Sequence, residues 1–196
     1  ANQTRHGALS KSYLNKHQQA LKKFKDYLHH HNYKHFKVHL KSETNPTEEK
    51  LNILTQSEAK QLFKATQYSH SESRFRHRDK AMLVVLYSCG LRRTEAVHLD
   101  ISDILFDKER IYVRKGKNYK ERFIPINRRN AEILEDYIYE GRPQYYNPKA
   151  TEALFISQQG TRLNGMSFAN RLKAIVRATN NKTIENKHIT LHILRH

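Results

Sequence analysis

The chain has 196 residues, with 36 Lys and Arg against 19 Asp and Glu, a formal net charge of +17 at pH 7, and 13 histidines besides. That length suffices for a buried core, and that charge favours a polyanionic partner, a nucleic acid or an anionic membrane surface. One cysteine excludes an internal disulfide and a cysteine-based zinc cluster, and the absence of an apolar run of ~18 residues or a signal-peptide pattern predicts a cytoplasmic protein with no membrane span.

Residues 9–31 place Leu14, Leu21, Phe24 and Leu28 at spacings of seven, three and four, the period of an amphipathic helix. Its polar side carries Lys11, Lys16, Lys22, Lys23 and Lys25, either a solvated face or a row of phosphate contacts. A single amphipathic helix cannot bury its own stripe, so this segment reads as part of a helical domain or as a helix docked on the rest. Residues 34–54 lose the period, and Glu43-Thr44-Asn45-Pro46-Thr47 marks a linker. Thr55-Gln56-Ser57-Glu58 is a capping box, which opens a helix and a new domain.

After a predicted loop over 69–78, the run Ala81-Met82-Leu83-Val84-Val85-Leu86-Tyr87 reads as a buried helix ended by Gly90. The next helix opens with Arg92, at the end of a helix that disfavours cations, so the guanidinium is expected to face an anion. Glu95, one turn on, is placed to hold it. From 101 to 126 the period becomes that of strands, with Ile104, Ile111, Val113, Phe123 and Ile124 divided by two turn sequences. This predicts a three-stranded antiparallel meander whose second turn presents Lys115, Lys117 and Lys120.

Helices resume over 128–140, with Ile133, Leu134, Tyr137 and Ile138 inward, and over 167–179, with Phe168, Leu172, Ile175 and Val176 on one side. The short apolar run Ala153-Leu154-Phe155-Ile156 lies between them, and 180–187 reads as a polar loop. The last residues, His192-Ile193-Leu194-Arg195-His196, set a histidine and an arginine one helical turn apart, where both can grip a single anion. Two guanidiniums and an imidazole around one phosphate would stabilise a pentacoordinate transition state without a metal.

Three motifs now stand in order. Cys89-Gly90-Leu91-Arg92-Arg93-Thr94-Glu95 resembles the first conserved box of the tyrosine recombinases, the family of the phage integrases and the Xer proteins. Lys115-Gly116-Lys117-Asn118-Tyr119-Lys120-Glu121-Arg122 with Pro125 is similar to the family's lysine hairpin, and His192-Ile193-Leu194-Arg195-His196 to its second box. The resemblance covers about residues 55–196. It implies an α+β, mainly α fold: a helical catalytic domain with a small three-stranded antiparallel sheet over 55–196, a linker over 43–54, and over 1–42 the end of a helical core-binding domain of SAM-like type.

By the same resemblance Arg92 and Arg195 are catalytic and hold the nonbridging phosphate oxygens. Lys117 is the general acid, with Lys115 its alternative if the turn is shifted, and His192 assists phosphate binding and proton transfer. Glu95 and His196 support them, and Arg93, Lys115 and Lys120 contact DNA. The implied activity is site-specific recombination through a 3′-phosphotyrosyl intermediate, with no metal or other cofactor, on double-stranded DNA and by a homotetramer. In the family the tyrosine nucleophile follows the second box, whereas all 11 tyrosines here precede it. The chain therefore reads as a fragment cut at both ends, a monomer that binds DNA without cleaving it. The rival readings are a non-catalytic DNA-binding protein and a strand-passing enzyme of the type IB topoisomerase kind.

Overall fold

Residues 81–86 are six consecutive apolar side chains, none more than 1 % exposed. A helix apolar on all sides has to lie inside other elements, and the rest of this domain is laid around that segment. The computed structural model describes residues 3–4, 7–33, 53–114, 121–147 and 151–195. The chain divides into two units, residues 1–50 and 51–196.

In the first unit β1 (Gln3–Thr4) pairs antiparallel with β2 (Gly7–Ala8), and α1 spans Lys11–His30. Ser10 caps α1 by accepting the Tyr13 N–H at 3.2 Å. Asn32 closes it in the left-handed region at φ 54, which lets the Tyr33 N–H reach back to the Leu28 carbonyl at 3.0 Å. The predicted apolar stripe is present, but α1 buries none of it: Leu14 and Leu28 are half-buried, and Leu21 and Phe24 are exposed.

The second unit opens at α2 (Gln56–Ala65) with both halves of the predicted capping box. Glu58 accepts the Thr55 N–H at 2.7 Å and donates its own N–H to Thr55 Oγ1 at 3.3 Å. Glu58 also pairs with Lys187 at 2.7 Å; that bond and the one from the Thr55 backbone hold its carboxyl below the ordinary carboxylate range. The central helix α3 runs Ser73–Leu83 and widens into a π-turn at Val84–Ser88.

The loop expected over 69–78 is thus only its first few residues. Polar positions from Ser73 on belong to α3, and the buried charges Arg78 and the adjoining Asp79 are paired inside the protein. Asp79 is fully buried and holds Arg171 at 2.9 Å and the Ser69 hydroxyl at 2.6 Å, and Arg78 donates to the Ile156 carbonyl at 2.8 Å.

Short α4 (Arg93–Val97) leads into the sheet β3 (Ile104–Leu105), β4 (Arg110–Val113), β5 (Arg122–Pro125), antiparallel in that order. Ile111 faces Ile104 on one side and Ile124 on the other, and Val113 faces Arg122. Ile104, Ile111 and Val113 are buried, as their alternation predicts. Phe123 is 55 % exposed and stacks on Tyr112 at 5.1 Å on the outer face, because strand side chains alternate and Ile124 takes the inner side.

Helix α5 (Arg128–Glu135) continues as a π-turn over Asp136–Gly141 and sets Leu134 and Tyr137 fully inside. Gly141 presses on α3 so closely that a Cβ there would stand 2.7 Å from the Cβ of His77. Residues 153–156 are wholly buried and make two isolated bridges, Asp100 with Ala153 and Ile156 with Arg162. Helix α6 (Gly165–Ala178) lays Phe168, Leu172 and Ile175 on the core, each contributing about 2 kcal/mol by burial.

The polar stretch 180–187 is not a loop throughout, since Lys182–Asn186 forms α7, capped by Asn181 and pinned by the fully buried Ile184. A lone apolar residue leaves no period to read. Among the described residues no helix is long and apolar enough to cross a membrane.

Candidate functional site: a cationic cleft

The π-turn after α3 ends with the Cys89 N–H on the Val84 carbonyl at 2.9 Å and the Leu91 N–H on the Val85 carbonyl at 3.0 Å. Between them Gly90 takes φ +62, a conformation costly for any residue with a Cβ. This reversal carries Leu91 into the core and leaves Arg92 at the entrance of α4. Burial pushes the Cys89 thiol up to about 12, so the sulfur beside the turn is a small apolar group rather than a nucleophile.

Arg92 occupies the capping position of α4, where an arginine has no acceptor to offer the next turn. Glu95 supplies the return half of the cap: it accepts the Arg92 backbone N–H at 2.8 Å and the Arg92 Nη1 at 3.0 Å. The Glu95 side chain is 2 % exposed, the Arg92 side chain 40 %. A second arginine, Arg122 on β5, reaches the same carboxylate with both ends of its fork, Nη1 to Oε1 at 3.0 Å and Nη2 to Oε2 at 2.8 Å. Burial alone would raise the Glu95 carboxyl; the hydrogen bonds from Arg122 and Arg92 outweigh it and bring it to about 2. The Arg122 guanidinium is raised in turn by its bonds to Glu95.

The last described turn, Ile193–Arg195, is a tight one closed by the Arg195 N–H on the His192 carbonyl at 3.2 Å. Leu191 and Leu194 anchor it in the core while His192 and Arg195 stay exposed. The stem of Arg195 runs past Gly90, whose added Cβ would meet Arg195 Cγ at 3.8 Å. The two motifs, about a hundred residues apart in the chain, therefore meet at the glycine turn.

Together they line a cleft of about 730 Å³. Its floor is apolar, with Leu91, Leu172, Ile189 and Leu191, and its walls carry Arg92, Arg93, Lys173, His192 and Arg195 with Thr94 and Thr190. Among the described residues no acidic side chain lines it, so the charged groups in the lining are all basic. Arg93 lays its stem over the start of α6, where a Cβ on Gly165 would lie 3.2 Å from Arg93 Cδ. Among the described residues no three His, Cys, Asp or Glu side chains come together as a metal site. A cleft of this chemistry accepts a phosphate diester or another anion carrying an apolar neighbour.

Of the residues singled out in the sequence, Arg92, Arg93, His192 and Arg195 share this cleft, and Glu95 stands behind Arg92. Lys115, Lys117, Lys120 and His196 lie outside the described residues. The strands that flank 115–120 are tied down at their ends: Arg114 pairs with Asp103 at 2.7 Å and Asp100 at 2.8 Å, and Arg122 pairs with Glu95. Arg122 and Lys173 were not anticipated. Arg122 lies 27 residues from Glu95, where no local spacing pairs them, and Lys173 is one of several lysines on the polar side of a helix.

The model of the phage integrase family matches residues 52–196. The chain belongs to the phage integrase family. Among curated relatives of this family, the tyrosine recombinase XerD of Proteus mirabilis is 37 % identical over 121 residues, 61 % of this chain and 37 % of that protein. The chain thus spans under two fifths of that integrase-family relative's length. Among solved structures, the XerH site-specific recombinase bound to a palindromic difH substrate shares the fold with a TM-score of 0.68 at 21 % identity, over 96 % of this chain and 53 % of that one. The Tn1549 transposon integrase in complex with circular intermediate DNA gives a TM-score of 0.65 at 19 % identity, over 95 % and 64 %. The mainly helical α+β fold with its small antiparallel sheet is that of the tyrosine recombinases.

Proposed function

We propose that the cleft grips a single phosphodiester of double-stranded DNA, and that the whole protein uses it to cut and rejoin DNA strands at specific sites through a 3′-phosphotyrosyl link. The observation that carries this reading is the convergence of Arg92, His192 and Arg195 on one cleft with no carboxylate among the described residues that line it. Two guanidiniums present planar forks to the nonbridging oxygens and stabilise the charge that grows on them as the phosphorus becomes pentacoordinate. His192 is exposed at the same rim, within reach of a phosphate oxygen or a proton in transit. Lys117 is the proton donor to the leaving 5′-oxygen, Arg93, Lys115 and Lys120 assist in holding the strand, and His196 supports the catalytic group. Among the described residues no tyrosine lines the cleft, in keeping with a chain that holds DNA without breaking it. The XerH and Tn1549 structures, solved with DNA, support DNA as the ligand, and assembly as a homotetramer on DNA belongs to the whole protein, with this chain a monomer.

The test is a duplex of about two helical turns, labelled at one end, titrated with the chain and followed by fluorescence anisotropy and by denaturing gel. Saturable binding that Arg92→Gln and Arg195→Gln each weaken, with no covalent adduct on the gel, supports the reading. Binding indifferent to both substitutions would remove the cleft from DNA recognition, and an adduct formed by this chain would show that it carries a nucleophile of its own.

A further inference from the structure

We propose that Arg122 is a positioning residue for the phosphate grip, the counter-charge that occupies Glu95 and so leaves the charge of Arg92 for DNA. The inference rests on the reading of the cleft given above and adds to it a residue outside the cleft. Two oxygens of one buried carboxylate serve two arginines, and they do so unequally. Arg122 takes both oxygens through its fork, at 3.0 and 2.8 Å, whereas the Arg92 guanidinium has a single bond of 3.0 Å to Oε1.

The three groups together carry one net positive charge. Arg92 is among the residues that line the cleft and Arg122 is not. The surplus charge therefore faces the cleft through Arg92, whose side chain is the more exposed of the two arginines, 40 % against 34 %. Without Arg122, Arg92 and Glu95 form a neutral pair. A guanidinium that can turn its fork onto a buried carboxylate has less charge and fewer donors to offer a phosphate. The same bond fastens the start of β5 to α4, so the strand that leads out of the lysine hairpin is fixed relative to Arg92.

The experiment uses the chain and the duplex described above, at fixed salt, with circular dichroism to establish folding. Arg122→Gln is expected to bind about tenfold more weakly, the size of effect that moving one unit charge near a half-exposed site produces. The double variant Glu95→Gln/Arg122→Gln removes the carboxylate that Arg122 was balancing and is expected to recover to within about threefold of the unsubstituted chain. Arg122→Lys keeps the charge and is expected to stay within the same range.

An Arg122→Gln chain that binds like the original overturns the proposal. So does a double variant as weak as Arg122→Gln, which would mean that Arg122 touches DNA itself or only supports the fold. If Arg122→Gln is unfolded at the assay temperature, Arg122→Lys decides: retained affinity supports the counter-charge, and a loss as large as that of Arg92→Gln overturns it. Failure of the underlying reading is separately visible, because Arg92→Gln would then leave DNA binding unchanged; the role of Arg122 falls with it.

Discussion

Arg122 closes both oxygens of the Glu95 carboxylate in a bidentate pair, 27 residues away along the chain and across the gap between a strand and a helix start. This pair joins the sheet to the turn that carries Arg92. It also makes the stability of the second unit sensitive to acid. The Glu95 carboxyl lies at about 2 rather than its ordinary 4.5, so the folded chain binds fewer protons than the unfolded chain in that interval. Its contribution is whole above about pH 4.5 and is lost as pH falls towards 2, amounting to about 3 kcal/mol at most. Denaturant unfolding at a series of pH values checks this: the stability gap between the chain and its Glu95→Gln variant should close over that interval and stay constant above it.

The glycine turn has a defined cost of substitution. Gly90 sits at φ +62, but a Cβ there would meet nothing nearer than Arg195 Cγ at 3.8 Å. Gly90→Ala is therefore strained by its backbone and not by a clash, and should lose about 1 kcal/mol. Thermal melting should show a fall of about 2–4 °C.

The ion pair under α3 is a different case, because its acid is fully buried. Asp79, itself fully buried, holds the partly exposed Arg171 and the Ser69 hydroxyl. Asp79→Ala strands a guanidinium against the core and should cost about 3–5 kcal/mol, while Asp79→Leu/Arg171→Met removes both charges and should recover most of that. Urea unfolding of the two variants distinguishes the outcomes; equal losses in both would mean that the bonds themselves, rather than an abandoned charge, set the cost.

DNA binding through the cleft should depend steeply on salt. Each phosphate neutralised by a cation releases counterions, so replacing Arg92 or Arg195 by Gln should lower the slope of log affinity against log salt by about one. A slope unchanged in both variants would show that neither side chain contacts a phosphate.

The places where sequence reading succeeded share one property: each depends on neighbours along the chain. Thr55 and Glu58 cap a helix across three residues, Gly90 ends one by its own backbone freedom, and Ile104, Ile111 and Val113 alternate within single strands. Arg92 could be singled out for the same reason, as a cation where a helix start disfavours one, and Glu95 as its support one turn away. The failures share the opposite property. The segment 73–78 looked polar enough for a loop because the partner of its buried Arg78 lies 78 residues further on, as that of the adjoining Asp79 lies 92 residues on. Lys182–Asn186 was missed because one buried isoleucine leaves no periodic signal.

By itself, then, the sequence determined the helices with a clear apolar period, the antiparallel meander and the turn at Gly90, and it singled out candidates for gripping a phosphate, since all of these follow from backbone preference and spacing within a few residues. Only the tertiary structure decided that Arg92, His192 and Arg195 share one cleft, that Lys173 joins them, and that Arg122 rather than Arg92 takes the larger hold on Glu95. Those relationships depend on how α3, α4, α6 and the sheet are stacked in space. Charge pairs between distant segments leave no period along the chain, and the distances that rank them exist only once the core has closed.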